Sequence, residues 1–158
     1  MRTTFLRLIA AVLAVALLSL PALAGRKLNV STGQTVYVPI YSHIYQGPKG
    51  KPYNLSALLS IRNVDRNHAI TVTSVKYYDN NGTMVKDHFA EPVVIKPMAT
   101  REVYVSEGDL TGGSGANFTV KWKAEKDTAV PVIQAVMIGT ASGQGISFVC
   151  DGVAIEED

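Results

Sequence analysis

Cysteine is nearly missing from this sequence, which has one, Cys150, among 158 residues. A single cysteine cannot form a disulfide within the chain, so the fold must depend on its own hydrophobic core. Cys150 ends the apolar run Ile146–Cys150, and no activating neighbour is evident beside it. This position favours a small, half-buried residue at a strand end over a thiolate nucleophile or a copper ligand.

A surplus of charge of either sign is also missing once the first residues are set aside. The whole chain has 15 basic and 13 acidic residues, and residues 1–24 contain two arginines and no acid. Residues 25–158 therefore carry 13 charges of each sign. A neutral domain without a clustered basic stripe is not typical of nucleic-acid or anionic-lipid binding, so we expect no nucleic-acid partner.

Long hydrophobic runs are limited to the N-terminus. Leu8–Leu20 is apolar apart from Ser19, Arg2 and Arg7 precede it, and Ala22-Leu23-Ala24 follows it. This pattern predicts a secretory signal peptide, residues 1–24, cleaved after Ala24. The run is shorter than the roughly 20 residues that a membrane-spanning helix needs, so we expect no permanent membrane anchor. The predicted location is the periplasm or the exterior.

Helical periodicity is missing after residue 24, where short β-branched and aromatic segments alternate with turn signals. Eight or nine such segments predict an all-β fold, an antiparallel two-sheet sandwich with an immunoglobulin-like arrangement, in a single domain of residues 25–158. A small barrel is the alternative. The predicted strands are Thr35–Tyr41 continued by Ser42–Tyr45, Leu55–Asn63, Ala69–Asp79, Thr83–Phe89, Pro92–Ile95, Thr100–Val105, Asn117–Ala124, Val132–Thr140 and Ile146–Cys150.

Three local signals refine this prediction. Pro39 has no N–H for a sheet ladder, so the first strand should lie at an edge or carry a bulge near its middle. The alternation of apolar residues shifts near Ser74, which indicates a bulge. Asp79–Gly82 contains Asn-Gly, which predicts a type I′ hairpin that pairs the next segment back antiparallel.

The segments between the strands are polar or rich in turn residues. We expect Arg26–Gly33 to be a loose lead-in, Gln46–Pro52 an exposed loop and Glu125–Thr128 a turn. The acidic tail, Glu156–Asp158, should be frayed.

The segment with the highest concentration of glycine and polar residues begins at Glu107. It holds four glycines and two carboxylates before Asn117, and the strand that follows carries the only tryptophan, Trp122. Backbone N–H groups of such a loop can form an anion-binding nest for a carboxylate or phosphate. A strand follows the loop and no lysine follows its glycines, so a Walker-type nucleotide site is not expected. The alternative is a tight crossover in which Asn117 bonds the loop backbone.

Tyrosines and polar side chains elsewhere add to this candidate site. Tyr suits half-buried strands, and it also supplies rigid contact area for sugars or peptides. We predict a ligand-binding surface formed by Asp109, Gly112, Gly113, Ser114, Gly115, Asn117, His43, Tyr45, Arg62 and Tyr78.

Metal and catalytic motifs are not evident, and we predict no metal site, no cofactor and no catalytic residue. Asp-x-Asp-x-Asp loops are missing, and no histidine or methionine follows Cys150 as a copper site would require. His68 is expected in a turn and His88 on a solvated strand. Ser114 lies in Gly-Ser-Gly, which differs from the nucleophile elbow Gly-x-Ser-x-Gly.

Several segments together resemble a bacterial family of unknown function, DUF3124. They are Val36–Tyr45, Leu59–Asn63, Tyr77–Asp79, Gly112–Phe118 and Gly145–Phe148, and the similarity covers roughly residues 34–155. The resemblance implies a small exported or lipid-anchored bacterial protein with no assigned activity. This chain lacks a lipobox cysteine, so the resemblance does not carry over a lipid anchor.

These observations predict an exported, non-enzymatic protein that binds an unknown small ligand or a periplasmic protein. One alternative is a hydrolase or metal-dependent enzyme that uses Asp109, Asn117, His43 and Arg62. A third hypothesis is a structural subunit that pairs through an exposed strand edge.

Overall fold

A computed structural model of the protein describes residues 29–141 and 143–157, in which every helix or strand element is a β-strand. The predicted signal peptide, residues 1–24, lies outside the described residues. Twelve strands are present, more than the eight or nine predicted. They are β1 (Val30–Pro39), β2 (His43–Gln46), β3 (Lys51–Asn54), β4 (Ser56–Arg62), β5 (Ile70–Tyr78), β6 (Met84–Asp87), β7 (Val93–Ile95), β8 (Thr100–Val105), β9 (Asn117–Ala129), β10 (Val132–Ala141), β11 (Gln144–Asp151) and β12 (Val153–Glu157).

The strands form three antiparallel sheets, which confirms the all-β class. The six-stranded sheet has the order β12-β1-β9-β5, with both β6 and β7 paired to β5. The four-stranded sheet has the order β11-β10-β4-β8, and β2 and β3 form a separate hairpin. This hairpin was not predicted, because the Gly/Pro/Lys segment at its tip was interpreted only as an exposed loop.

One hydrophobic cluster is built from both larger sheets. On β9 the side chains of Phe118, Val120 and Trp122 are all fully buried, which confirms the one-sided pattern of this strand. Leu59 of β4 and Met137 of β10 are equally buried on the other side of the cluster. Removal of this apolar surface from water stabilises the fold by roughly 25 cal/mol for each Å² buried.

The predicted bulge near Ser74 is confirmed, since the pairing of β5 with β9 shifts between Val72 and Ser74. The shift lets Val72 and Val75 face the core although they are three residues apart. Pro39 ends β1, an interior strand whose pairing with β12 shifts between Thr35 and Val36. The extra residue of this shift is Ile155 of β12, and Pro39 pairs in register with Asn117, so neither the edge position nor the bulge predicted for the first strand from Pro39 is observed.

The hairpin between β5 and β6 is confirmed, but its predicted turn type is wrong. Type I′ needs positive φ at both central residues, and among the described residues Met98 is the only non-glycine with positive φ. Gly82, with φ of 79°, takes the left-handed position of a three-residue hairpin loop. The carboxylate of Asp79 favours this longer loop, because it accepts hydrogen bonds from the N–H groups of Asn81 and Thr83, both at 2.8 Å.

Three further expectations were wrong, the first two because a distant strand supplies a hydrogen-bonding partner and the third because a bulge stands where a turn was expected. The lead-in already belongs to β1 from Val30, which pairs with Ala129. The tail forms β12, in which Glu157 lies opposite Gln34. The turn predicted at Glu125–Thr128 lies inside β9.

The chain passes from the four-stranded to the six-stranded sheet at Gly152, between β11 and β12. The N–H of Gly152 donates to the carbonyl of Ile133 at 2.8 Å. A Cβ at this position would lie 2.6 Å from Cγ1 of Val36 and 2.7 Å from that same carbonyl oxygen. Glycine is therefore required where the strand leaves one sheet for the other.

Candidate functional site

The glycine-rich loop, residues 106–116, joins β8 to β9 and is held by its own carbonyl groups. The carbonyl of Gly112 accepts a hydrogen bond from the N–H of Asn80, and that of Gly113 accepts one from the N–H of Ser42, both at 3.0 Å. Ala116 accepts a third from Ile40, also at 3.0 Å. The loop is thus fixed between the β1–β2 connection and the β5–β6 turn.

Two glycines allow this close approach. A Cβ on Gly112 would collide with the hydroxyl of Tyr77 and lie 2.6 Å from Cβ of Ala116. Gly113 has φ of 74°, and a Cβ there would collide with the side-chain oxygen of Asn80. These contacts support the interpretation of the loop as a tightly packed crossover, because any larger residue would push it off its neighbours.

Polar groups lie in and beneath the loop. The hydroxyls of Ser42 and Tyr77 are 3.2 Å apart, and both residues are buried. Asp109, which is half-buried, accepts hydrogen bonds from the N–H and the hydroxyl of Thr111. The carboxylate of Asp109 therefore stabilises a turn within the loop.

The loop brings most of the predicted site residues to one end of the molecule. His43 and Tyr45 follow Ser42 on β2, with Nε2 of His43 3.2 Å from the Tyr45 hydroxyl and the two rings perpendicular. Tyr45 is 62 % exposed. Tyr78 on β5 lies directly opposite Asn117, the first residue of β9. We call His43, Tyr45, Tyr78, Asn117 and loop residues 106–116 the loop-end surface.

The outer face of the six-stranded sheet continues from the loop-end surface. Asn117 has Tyr78 on one side and Pro39 on the other, in one row across three strands. Two residues further along β9, Thr119 lies between Lys76 and Tyr37. Tyr37 and Tyr78 are both half-buried, so each presents part of its ring to solvent.

Arg62 does not belong to this group. It ends β4 opposite Thr100, whereas the glycine-rich loop leaves β8 at Val105, opposite Ala57. The five residues from Ala57 to Arg62 span about 17 Å at the usual rise of a strand. Nε of Arg62 donates instead to the hydroxyl of Ser60 at 3.0 Å.

A cleft that the sequence did not predict opens near the opposite end, with a volume of about 660 Å³. One wall is Asn67–Ala69 and the other is the segment of β9 that was predicted to be a turn. The signal that could have indicated it is the charged run Glu125-Lys126-Asp127, which interrupts an otherwise alternating strand.

His88 and Cys150 are the other chemically reactive side chains singled out in the sequence. His88 was expected on a solvated strand, but it lies just after β6 with its ring 5.7 Å from that of Phe118 and 6.4 Å from that of Tyr77. Burial lowers the pKa of this imidazole. Cys150 packs against the core, and burial together with Asp151 raises the pKa of its thiol, which disfavours a reactive thiolate.

Across residues 29–141 and 143–157, no group of three or more histidine, cysteine, aspartate or glutamate side chains is placed to hold a metal ion. Within the same ranges, no helix has the length and apolar character needed to cross a membrane.

The chain belongs to the family described as "Protein of unknown function (DUF3124)", which matches residues 33–155. This confirms the resemblance seen in the sequence motifs. A search among curated proteins gave no match. The crystal structure of Thermotoga maritima 1070 is similar at a TM-score of 0.46 and 15 % identity, over 79 % of this chain and 97 % of that one.

Proposed function

We propose that this protein is an exported, non-enzymatic binding protein that engages a periplasmic protein through the loop-end surface. The observation that carries the proposal is the fixing of the glycine-rich loop on both sides, to Ser42 and to Asn80. Through these two contacts one rigid loop holds His43 and Tyr45 on one flank and Tyr78 on the other. A surface ordered before binding loses little conformational entropy when a partner binds.

The side chains of the loop-end surface suit a protein partner. Tyrosine combines a large apolar ring with a hydroxyl that can form hydrogen bonds, and it is enriched at the centres of protein interfaces. Tyr45 is mostly exposed, and Tyr78 lies on an open sheet face beside the amide of Asn117. A flat face of this kind offers contact area without enclosing a small molecule, which favours a protein over a small ligand as the partner.

The enzyme alternative has weaker support. It requires His43, Arg62 and Asp109 to converge on one reacting group, within hydrogen-bonding reach of about 3 Å. Arg62 lies at the far end of β4, and the carboxylate of Asp109 is already bonded to Thr111.

Tyr45→Ala and Asn117→Ala test the proposal, with Tyr104→Ala as the matched control. Tyr104 is 63 % exposed, like Tyr45, but lies on β8 in the four-stranded sheet. Wild-type protein would be used to capture and identify a periplasmic partner, and the affinity of each variant for that purified partner would then be measured by calorimetry. We expect both loop-end variants to bind at least about tenfold more weakly, a hot-spot effect, with unchanged unfolding free energy, while Tyr104→Ala binds normally.

Two outcomes would contradict the proposal. If all three variants bound the partner equally, the loop-end surface would not be the binding site. If Tyr45→Ala and Asn117→Ala lost binding only because they unfolded, these residues would have a structural role alone. Denaturant titrations of each variant separate the two cases.

The finer architecture and the location belong to the same proposal. We infer that the two larger sheets form an immunoglobulin-like sandwich, which the single core cluster drawn from both sheets supports. We infer that the mature protein begins at Gly25 in the periplasm. Intact-mass measurement of the protein from a periplasmic extract should give a chain of residues 25–158, whereas a mass that includes residues 1–24 would overturn signal-peptide cleavage.

The structural-subunit alternative is favoured by one observation, the open outer edge of β12. Among residues 29–141 and 143–157 this strand pairs with β1 on one side only, and Val153 and Ile155 are 61 % and 55 % exposed. An unpaired edge can accept a strand from another chain. Sedimentation of the purified protein decides this point, because assembly through β12 requires a concentration-dependent oligomer that Ile155→Pro prevents.

A further inference from the structure

The cleft opposite the loop-end surface owes its shape to a large bulge in β9. Gly33 of β1 lies opposite Lys123, and Ser31 lies opposite Thr128. Between these pairs β1 has one residue and β9 has four, residues 124–127. With three residues more than β1, this part of β9 must bulge out of the plane of the sheet, and Ala124, Glu125 and Lys126 form one wall of the cleft.

Hydrogen bonds fix both walls. The carboxylate of Asp65 accepts the N–H groups of Asn67 and His68, each at 2.8 Å, which closes the loop on one side of the cleft. Its other oxygen accepts the N–H of Ala129 at 3.0 Å, just beyond the bulge. These backbone donors lower the pKa of Asp65, so it stays ionised and keeps both walls joined. On the bulge, the buried hydroxyl of Thr128 donates to the carbonyl of Lys126 at 2.8 Å.

The lining carries two lysines without an acidic partner. Lys123 and Lys126 both line the cleft. Within the part of the chain that the structure describes, neither of these lysines forms an ion pair with a carboxylate within 4.0 Å. Glu125 is the one acid among the lining residues. The lining therefore has a net positive charge.

The same cleft has an apolar strip beside the charges. Ala69, Val94 and Ala124 line it, and Val94 is 64 % exposed. Its volume of about 660 Å³ lies within the range of roughly 300–1,000 Å³ typical of small-molecule sites. Asn67 and His68 add polar groups at the margin.

We propose that this cleft is a second binding site, independent of the loop-end surface, for a small organic anion: a carboxylate or phosphate ester on a compact apolar body. The anionic group binds between Lys123 and Lys126, and the apolar body covers Val94 and the adjacent alanines. An ammonium pair favours either anion as a point charge, so the chemistry shared by carboxylate and phosphate defines the ligand class.

Amide chemical-shift titrations of the full mature protein test this proposal with three probes: benzoate, inorganic phosphate and neutral benzamide. Benzoate should shift the amides of residues 67–69 and 123–128, and its affinity should fall as salt is added, because exposed charges are screened. Benzamide has the same ring without the charge and should bind much more weakly. Phosphate has the charge without the ring and should bind at the same residues more weakly than benzoate.

Two double variants distinguish binding at this cleft from a general effect of surface charge. Lys123→Gln with Lys126→Gln should weaken benzoate binding by about tenfold, the loss of charge-assisted contacts. Lys49→Gln with Lys51→Gln removes the same charge from the exposed β2–β3 hairpin and should leave the affinity unchanged. Equal binding of benzoate and benzamide, equal weakening by both pairs, or no shifts at the cleft with any probe would overturn the proposal. Phosphate binding as tight as benzoate would overturn the apolar part of the ligand class.

Discussion

At the residue scale, a few buried polar side chains organise the end of the molecule that holds the cleft. Asn63 is 2 % exposed, and its amide group donates to the carbonyls of His68, Ile95 and Lys96 at 2.8–3.1 Å. Its side-chain oxygen accepts the N–H of Asp65 at 3.0 Å. One amide thus joins the β4–β5 loop to the end of β7. The sequence placed Asn63 only at a strand end, since its partners lie up to 33 residues away.

His88 should make stability depend on pH. Its Nε2 is buried and has no hydrogen-bond partner, and burial followed by the nearby charge of Lys86 lowers its pKa, while Asp87 and Asp109 oppose that shift. A lowered pKa in the folded state means that the unfolded chain takes up the proton first as pH falls. The free energy of unfolding should therefore decrease as pH falls below about 6.5, the ordinary histidine value, and change no further once folded His88 is also protonated.

His88→Phe tests this residue, because phenylalanine can pack against Tyr77 and Phe118 but cannot titrate. Urea unfolding at about pH 7.5 and about pH 5.5, on either side of the ordinary histidine pKa, should show a smaller loss of stability for the variant than for wild type. The same loss in both proteins would assign the pH dependence to other groups.

At the element scale, the glycine-rich loop is a packed structure whose glycines differ in their roles. Gly112→Ala would force a methyl group against Tyr77 and Ala116, so we expect a loss of about 2–3 kcal/mol in the free energy of unfolding, typical of overpacking. Gly108→Ala is the matched control in the same loop. Its Cβ would meet nothing within 4 Å and its φ is not left-handed, so it should raise stability by about 0.5 kcal/mol. Equal effects in chemical denaturation would show that the loop is not packed as described.

Elements determined by adjacent residues could be predicted from the sequence, and those determined by distant pairing could not. The bulge near Ser74 and the hairpin at Gly82 were predicted because broken alternation and Asn-Gly are local signals. The cleft was missed because the bulge of β9 exists only relative to β1, some 90 residues earlier in the chain. The loop-end residues could be named individually, but only the fold shows that Arg62 lies apart from them.

For the whole molecule, the central question is whether the two larger sheets fold as one unit. The core cluster includes side chains from both, and the chain crosses between them at Gly152. Single domains of fewer than about 150 residues usually unfold in one transition. Trp122 is the only tryptophan, is fully buried and lies in the six-stranded sheet, so its fluorescence reports on the burial of that sheet's core face.

Leu59→Ala, in the four-stranded sheet, tests that coupling. Leu59 is fully buried, and the cavity left by its removal should lower the free energy of unfolding by about 2–5 kcal/mol. If the sheets share one core, the midpoint followed by Trp122 fluorescence must move as far as the midpoint followed by circular dichroism. Leu58 is the adjacent, half-buried residue on the outer face of β4, and Leu58→Ala should lower the free energy of unfolding by less, about 1 kcal/mol. The opposite result would be an unchanged fluorescence midpoint in Leu59→Ala together with an additional unfolding transition, detected by circular dichroism at lower denaturant concentration. That result would show that the sheets unfold independently and would contradict the sandwich.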